Sequence, residues 1–194
     1  MRLDQTIRYS LLALAAGAFA APGPAAAADG AVAAFVEGIN ATVGPVKPGD
    51  RKAIGAACAT LVRQSFDIDA MAPAITGEAW SRMDSGQRAR YARGLARRAA
   101  DDCASHGNEI AGNAVDIVGV RTGEGGDRLI AVKQSKGRGR TIIWRVHEGS
   151  GGALKAVDMT VDGRSIAASA RSDAKAVLNQ TGGNVIALLR SVGE

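Results

Sequence analysis

The chain has 194 residues, a formal net charge of +5 and an apolar content of 46%. This length is enough for one ordinary domain whose core needs no disulfides, which excludes a small scaffold that depends on them. Only 4% of the residues are aromatic while 25 are glycine, so the core either packs thinly or leaves space inside, and composition alone favours neither.

The N-terminal segment has the pattern of a cleavable export signal. Arg2 and Arg8 give a basic start, an apolar run follows over residues 11–20, and the alanines at 25–28 offer the small residues that signal peptidase reads. The run is about half of the roughly 20 residues that a membrane span needs. We therefore predict a signal peptide at residues 1–28, a single domain at residues 29–194 and a periplasmic location.

Export makes nucleic acid an implausible partner. The mild positive charge then either attracts anionic lipid head groups or an acidic protein patch, or only aids solubility.

Apolar residues at helical spacing predict a helical first half of the exported chain. Asp84 and Gln87 form a capping-box pair that opens the longest of these helices, whose arginines at 90, 93 and 97 form either a solvated face or a docking surface. The predicted helices cover residues 31–43, 50–64, 67–77 and 84–105.

From Ala114 the apolar period changes to two, which predicts strands separated by glycine-rich or charged turns. The chain returns to helix near Ser165, and a second amphipathic helix follows the break at Gly182-Gly183. We predict an α+β fold in which a helical layer packs on a four-stranded antiparallel sheet with an apolar cavity between them. The predicted strands cover residues 115–121, 128–134, 141–147 and 154–161.

The sequence carries no recognisable catalytic motif: it has neither a Gly-x-Ser-x-Gly elbow, nor a phosphate-binding loop, nor a His-Glu-x-x-His helix. Cys103 and His106 could form a crude metal site or a nucleophile–base pair, but no orienting group is evident. We therefore expect no enzyme activity, no metal and no cofactor.

Three polar features have structural interpretations. Asp67, with Asp69 near it, is expected to cap a helix. Asp158 lies inside an apolar strand, and we expect an ion pair with Arg145 on the neighbouring strand. Cys58 and Cys103 lie on apolar faces of predicted helices, where they form either one disulfide or two buried thiols.

Several stretches, in order, resemble the MlaC family, also called toluene-tolerance or Tgt-type proteins. They are Phe66-Asp67-Ile68-Asp69-x-Met71, then Gly77-x-x-Trp80, then Asp84-x-x-Gln87-Arg88-x-x-Tyr91, then residues 151–158 and 161–165, and finally Arg171, Gly182-Gly183 and Ala187-Leu188-Leu189. At four positions where the family carries aromatic residues, the chain has smaller ones: Leu154, Val157, Ala170 and Ala174.

The resemblance implies a periplasmic phospholipid-binding protein that serves an ABC lipid transporter. We accordingly expect a monomeric carrier that moves phospholipid between an inner-membrane transporter and an outer-membrane complex, and so contributes to lipid asymmetry of the outer membrane. The hopanoid-associated branch of similar proteins, with a sterol-like ligand, and a periplasmic adaptor module that binds no lipid are the alternatives.

A lipid tail gains about 0.8 kcal/mol for each methylene that leaves water, so an apolar cleft suffices to hold it. The small residues that replace aromatics permit a wider pocket. The predicted lining residues are Met71, Ile75, Leu95, Ile117, Val132, Ile143, Met159, Ile166, Ala170, Ala174 and Val177.

Overall fold

A computed structural model describes residues 29–136 and 139–194; the predicted signal peptide lies outside these residues. The helices are α1 (Gly30–Val43), α2 (Arg51–Ser65), α3 (Ile68–Thr76), α4 (Ser85–Ser105), α5 (Gly107–Ile110), α6 (Ile166–Gln180) and α7 (Val185–Ser191). The strands are β1 (Val115–Thr122), β2 (Arg128–Gln134), β3 (Thr141–Glu148), β4 (Leu154–Val161) and β5 (Arg164–Ser165). Short 3-10 helices cover Gly77–Arg82 and Glu124–Gly126.

The predicted helix starts are confirmed, because each depends on a side chain that caps a nearby backbone amide. Asp50, Asp67 and Asp84 accept hydrogen bonds from the amides three residues later, and Gln87 completes the capping box. The four-residue helix α5 was not predicted, since one turn carries too little apolar periodicity to be recognised.

The sheet is antiparallel with the order β1-β2-β3-β4-β5, so it has five strands where four were predicted. The extra strand, β5, pairs with β4 through a tight turn at Asp162-Gly163. Both turn residues have positive φ, 50° and 78°, which suits a two-residue hairpin loop. A two-residue strand is too short to show alternation in the sequence.

The two faces of the sheet have different environments. Ile130, Val132, Trp144 and Val146 alternate along β2 and β3 on one face, and all four are buried. Arg145, between Trp144 and Val146, is exposed on the other face. Helices α1, α2, α3 and α6 contact the sheet, while α4 packs on α2 and α7 packs on α6 and α4. The described core therefore lies between one face of the sheet and the helices.

The expected ion pair between Asp158 and Arg145 is not formed, although the two residues are opposite each other in the β3–β4 register. Arg145 Nε instead lies 2.5 Å from Asp127 Oδ2. Asp158 is only partly buried and accepts hydrogen bonds from the backbone amides of Met159 and Ala167, so it links β4 to the first turn of α6. Backbone amides, not a cation, satisfy this carboxylate.

A disulfide joins Cys58 in α2 to Cys103 in α4, with their Cα atoms 5.7 Å apart. This decides between the two alternatives that the sequence left open. Because Cys103 is bonded, it cannot act with His106 as a nucleophile or a thiolate ligand. His106 Nδ1 instead contacts Ser105 Oγ and the Asp102 carbonyl.

Candidate functional site

The predicted lining residues separate into three groups by burial. Those on α3, α4, β2 and α6 that are fully buried in the core are Met71, Ile75, Leu95, Val132 and Ala174. Those that are only partly buried but pack against this core are Ile117, Met159, Ile166, Ala170 and Val177. The residues of the second group are the predicted lining residues that keep some exposure to solvent.

Ile143 does not belong with the others. The register pairs it with Ala131 and Thr160, on the face opposite Trp144, and it is outside the core cluster. Ile143 was predicted as a lining residue, and the structure places it on the face of the sheet opposite the core. Alternation identified two faces on this strand, but the neighbouring residue, Trp144, occupies the covered one.

Trp144 lies at the centre of the core and was missed as a candidate. Its ring is 5.6 Å from that of Phe35 in α1, nearly perpendicular, and 5.5 Å from that of Phe66 at the end of α2. The residue is 3% exposed, and its Nε1 has no hydrogen-bond partner among the described protein atoms. Three of the few aromatic residues of the chain thus meet at one point of the sheet.

Phe66 also borders an open cleft of about 670 Å³ that is lined by residues of α2 and α4. Small residues of α2 and α4, among them Ala59, Ala96 and Ala100, leave this space between the two helices. Charged residues at its rim include Arg63, Asp69, Asp101 and Lys155. This cleft could not be predicted from the sequence, because the small residues form a space only when the two helices pack side by side.

Asp67, in the first stretch that resembles the family, makes two contacts from one carboxylate. Oδ1 accepts the hydrogen bond from the Ala70 amide that caps α3, at 2.9 Å. Oδ2 lies 2.8 Å from His147 Nε2 on β3. The predicted cap is confirmed, and the contact with His147 adds a link from α3 to the sheet that the sequence did not predict.

The next two stretches that resemble the family, Gly77-x-x-Trp80 and Asp84-x-x-Gln87-Arg88-x-x-Tyr91, form another cluster. The Arg88 guanidinium lies over the Trp80 ring, 5.5 Å from its centre, and its Nε donates to the Trp80 carbonyl oxygen at 3.1 Å. Trp80 makes an edge contact with Tyr91, with centroids 6.4 Å apart. Burial raises the pKa of Tyr91 to about 12 and outweighs the positive charge of Arg98, which acts to lower this pKa. The motif residues here stabilise the join between the 3-10 helix and α4.

The arginine face of α4 is only partly a solvated surface. Arg90 and Arg93 are exposed. Arg97 donates to the carbonyl oxygens of Val192 and Gly193, at 3.2 and 2.7 Å, and pairs with Glu194. Arg97 therefore anchors the end of the chain to α4.

Within residues 29–136 and 139–194, no three or more His, Cys, Asp or Glu side chains are grouped as metal ligands. None of the helices in those ranges combines the length and apolarity that crossing a membrane requires.

Comparison with known proteins identifies the family of the chain and a solved structure with the same fold. The family model described as MlaC protein matches residues 42–192. A solved structure of a phospholipid-binding protein from Ralstonia solanacearum, in complex with a phospholipid, superposes with a TM-score of 0.66 at 20% sequence identity. The match covers 86% of this chain and 95% of that one, and at this identity it establishes the shared fold. Among curated proteins, none matches.

Proposed function

The chain belongs to the MlaC family, and we propose that it binds a lipid whose acyl chains lie between the helix-facing side of the sheet and helices α3 and α6. The observation that carries the proposal is the match over residues 42–192, which includes every element from α2 to α7. The Ralstonia protein, which has the same fold, is a phospholipid-binding protein in complex with its lipid.

The partly buried apolar residues are the proposed contact surface. Met159 on β4 and Ile166, Ala170 and Val177 on α6 pack against the core yet keep some exposure. Acyl chains that replace water at these side chains gain about 0.8 kcal/mol per buried methylene. No precise polar constellation is needed for that gain, which agrees with the lack of catalytic motifs in the sequence.

Binding must also make room among the fully buried residues. Met71 and Ile75 on α3 and Ala174 on α6 are at most 5% exposed, and the two helices contact each other. Helices α3 and α6 therefore have to separate from the sheet, or from each other, when a lipid enters. Both helices follow loops or turns, at Asp67 and at Asp162-Gly163, about which such a movement is feasible.

The proposed cellular role is carriage of lipid between membranes in the periplasm. It rests on the export pattern at residues 1–28 and on the family, whose members work with an ABC lipid transporter. We propose that the protein is a monomer that receives or delivers phospholipid at an inner-membrane transporter and an outer-membrane complex. A hopanoid or similar polycyclic lipid is the alternative ligand, since the partly buried Ala170 leaves more width than an aromatic residue would.

A second candidate function is that of an adaptor that binds no lipid. The observation in its favour is that several predicted lining residues, including Met71, Ile75 and Val132, are already buried against protein.

Native mass spectrometry of protein purified from the periplasm, followed by lipid extraction, separates the two functions. A co-purifying lipid supports carriage, whereas a lipid-free mass that phospholipid vesicles do not change supports the adaptor. The same spectrum reports the N-terminus, which we expect near Ala28 or Asp29; a full-length chain retained in the membrane would contradict export.

A further inference from the structure

The indole nitrogen of Trp144 is exceptional among the described residues. It is the one fully buried side-chain nitrogen or oxygen atom for which no described protein atom serves as a hydrogen-bond partner. The residue is 3% exposed, and Phe35 and Phe66 pack against its ring. The neighbours supply aromatic contact but no acceptor.

Phenylalanine would make similar aromatic contacts at this position without a donor to satisfy. A buried donor without an acceptor is destabilising, because it loses its hydrogen bond to water and gains none in return, and buried tryptophan N–H groups usually have a partner. A tryptophan in an apolar cluster therefore indicates that its N–H meets an acceptor in some functional state of the protein.

The position of Trp144 indicates where that acceptor comes from. In the sheet register it lies between Ile130 on β2 and Met159 on β4, on the helix-facing side. Met159 and Ile142, on that same face, are only partly buried. The unpartnered N–H is thus on the face to which the proposed function assigns the lipid.

We propose that Nε1–H of Trp144 donates a hydrogen bond to an ester carbonyl oxygen of the bound lipid. This inference rests on the proposed lipid-binding function. Acyl chains have no acceptor along their length, and in a glycerolipid the ester carbonyls are the oxygens nearest to the chains. A lipid that enters between sheet and helices brings these oxygens into an otherwise apolar site. Trp144 is then a specificity residue that favours ester-linked over ether-linked lipids.

A cycle of two proteins and two lipids tests this pairing. The probes are diacyl phosphatidylethanolamine and its dialkyl ether analogue, which lacks both carbonyls. We expect the wild-type protein to bind the diacyl lipid more tightly by roughly 2- to 12-fold, the equivalent of one hydrogen bond of about 0.5–1.5 kcal/mol. Trp144→Phe should bind the two lipids equally. Trp80→Phe, which removes the other tryptophan of the chain, is the matched control and should keep the wild-type preference.

Nuclear magnetic resonance provides a readout that does not require the Trp144 variant to fold. In Trp80→Phe the only indole N–H signal is that of Trp144. We expect this proton to shift downfield when delipidated protein is loaded with the diacyl lipid, and to stay near its delipidated position with the ether analogue.

The outcomes are distinct. Equal affinity of the wild-type protein for both lipids, a preference that persists in Trp144→Phe, or an indole signal that does not respond to the diacyl lipid would overturn the hydrogen bond while leaving lipid binding intact. Failure of the wild-type protein to bind either lipid would instead reject phospholipid as its ligand, and the hydrogen bond with it.

Discussion

Asp67 connects the first turn of α3 to strand β3 through His147, which is 80 positions further along the chain; Asp67 Oδ2 and His147 Nε2 are 2.8 Å apart. The other carboxylate oxygen caps α3. One side chain thus sets where a helix begins and how that helix is attached to the sheet. If α3 moves away from the sheet to admit a ligand, the contact between Asp67 and His147 either holds the first turn of α3 in place or breaks.

Replacing Asp67 by alanine should cost more than losing a cap alone. Asp50→Ala is the matched control, because Asp50 caps α2 in the same way, 2.9 Å from the Ala53 amide. We expect Asp50→Ala to lower the free energy of unfolding by about 0.5–2 kcal/mol. Asp67→Ala should lower it by about 1 kcal/mol more, since the bond to His147 is also lost. Urea denaturation measures both; equal losses would mean that the His147 contact adds nothing.

The disulfide should contribute strongly to stability. It closes a loop of 45 residues between α2 and α4, and constraining the unfolded chain in this way typically stabilises by about 2–4 kcal/mol. We expect the double variant Cys58→Ala, Cys103→Ala to unfold at a lower denaturant concentration, with a free energy of unfolding that is smaller by that amount. Thiol labelling of denatured, unreduced wild-type protein should find no free thiol. Two reactive thiols per chain would contradict the bond.

Gly94 should not tolerate a side chain. A Cβ at Gly94 would lie 2.6 Å from the Cγ2 atom of Val192 and 2.7 Å from the carbonyl oxygen of the same residue, where α4 meets the end of α7. We expect Gly94→Ala to destabilise by about 1–3 kcal/mol through overpacking.

Gly38 on α1 is the control, since a Cβ there has no neighbour within 4 Å. Gly38→Ala should stabilise by about 0.5–1 kcal/mol, because alanine is the better helix former. Thermal denaturation distinguishes the two, and a Gly94→Ala protein as stable as Gly38→Ala would contradict the close approach.

The raised pKa of Tyr91 predicts a loss of stability at alkaline pH. The folded state holds the phenol proton up to about pH 12, whereas the unfolded chain releases it near pH 10. The stabilisation is therefore complete below pH 10 and is lost as the pH rises from 10 to 12, by about 2–3 kcal/mol at 1.36 kcal/mol per pKa unit. Urea denaturation at pH 9 and pH 11.5 should show this decrease in the wild type and a smaller one in Tyr91→Phe. Equal decreases would mean that Tyr91 titrates normally.

Two alanines of α6 test the proposed pocket. Ala170 is partly buried, so Ala170→Trp should occupy space that the lipid needs and reduce bound lipid, with little change in melting temperature. Ala174 is 4% exposed, so Ala174→Trp should overpack the core and destabilise by about 1–3 kcal/mol or more. Native mass spectrometry and thermal denaturation of both variants provide the two readouts. Full lipid binding by Ala170→Trp would show that Ala170 does not face the ligand.

The local structure of this protein could be predicted from its sequence alone. Helix starts are set by the capping residues Asp50, Asp67 and Asp84, each of which accepts a hydrogen bond from the backbone amide three residues later. The alternation of apolar and polar residues predicts the four long strands. The family resemblance was also readable, because its motifs are short and occur in order. These features depend on neighbours along the chain, which a sequence shows directly.

Which side chains contact each other could not be predicted in the same way. Arg145 pairs with Asp127 and not with Asp158, and Trp144 rather than Ile143 faces the helices. Alternation distinguishes two faces of a strand but does not say which one the helices cover. The contact of Asp67 with His147, the disulfide and the cleft between α2 and α4 likewise join residues far apart in sequence. Such contacts depend on how whole elements pack, since packing selects among partners that local chemistry leaves equally acceptable.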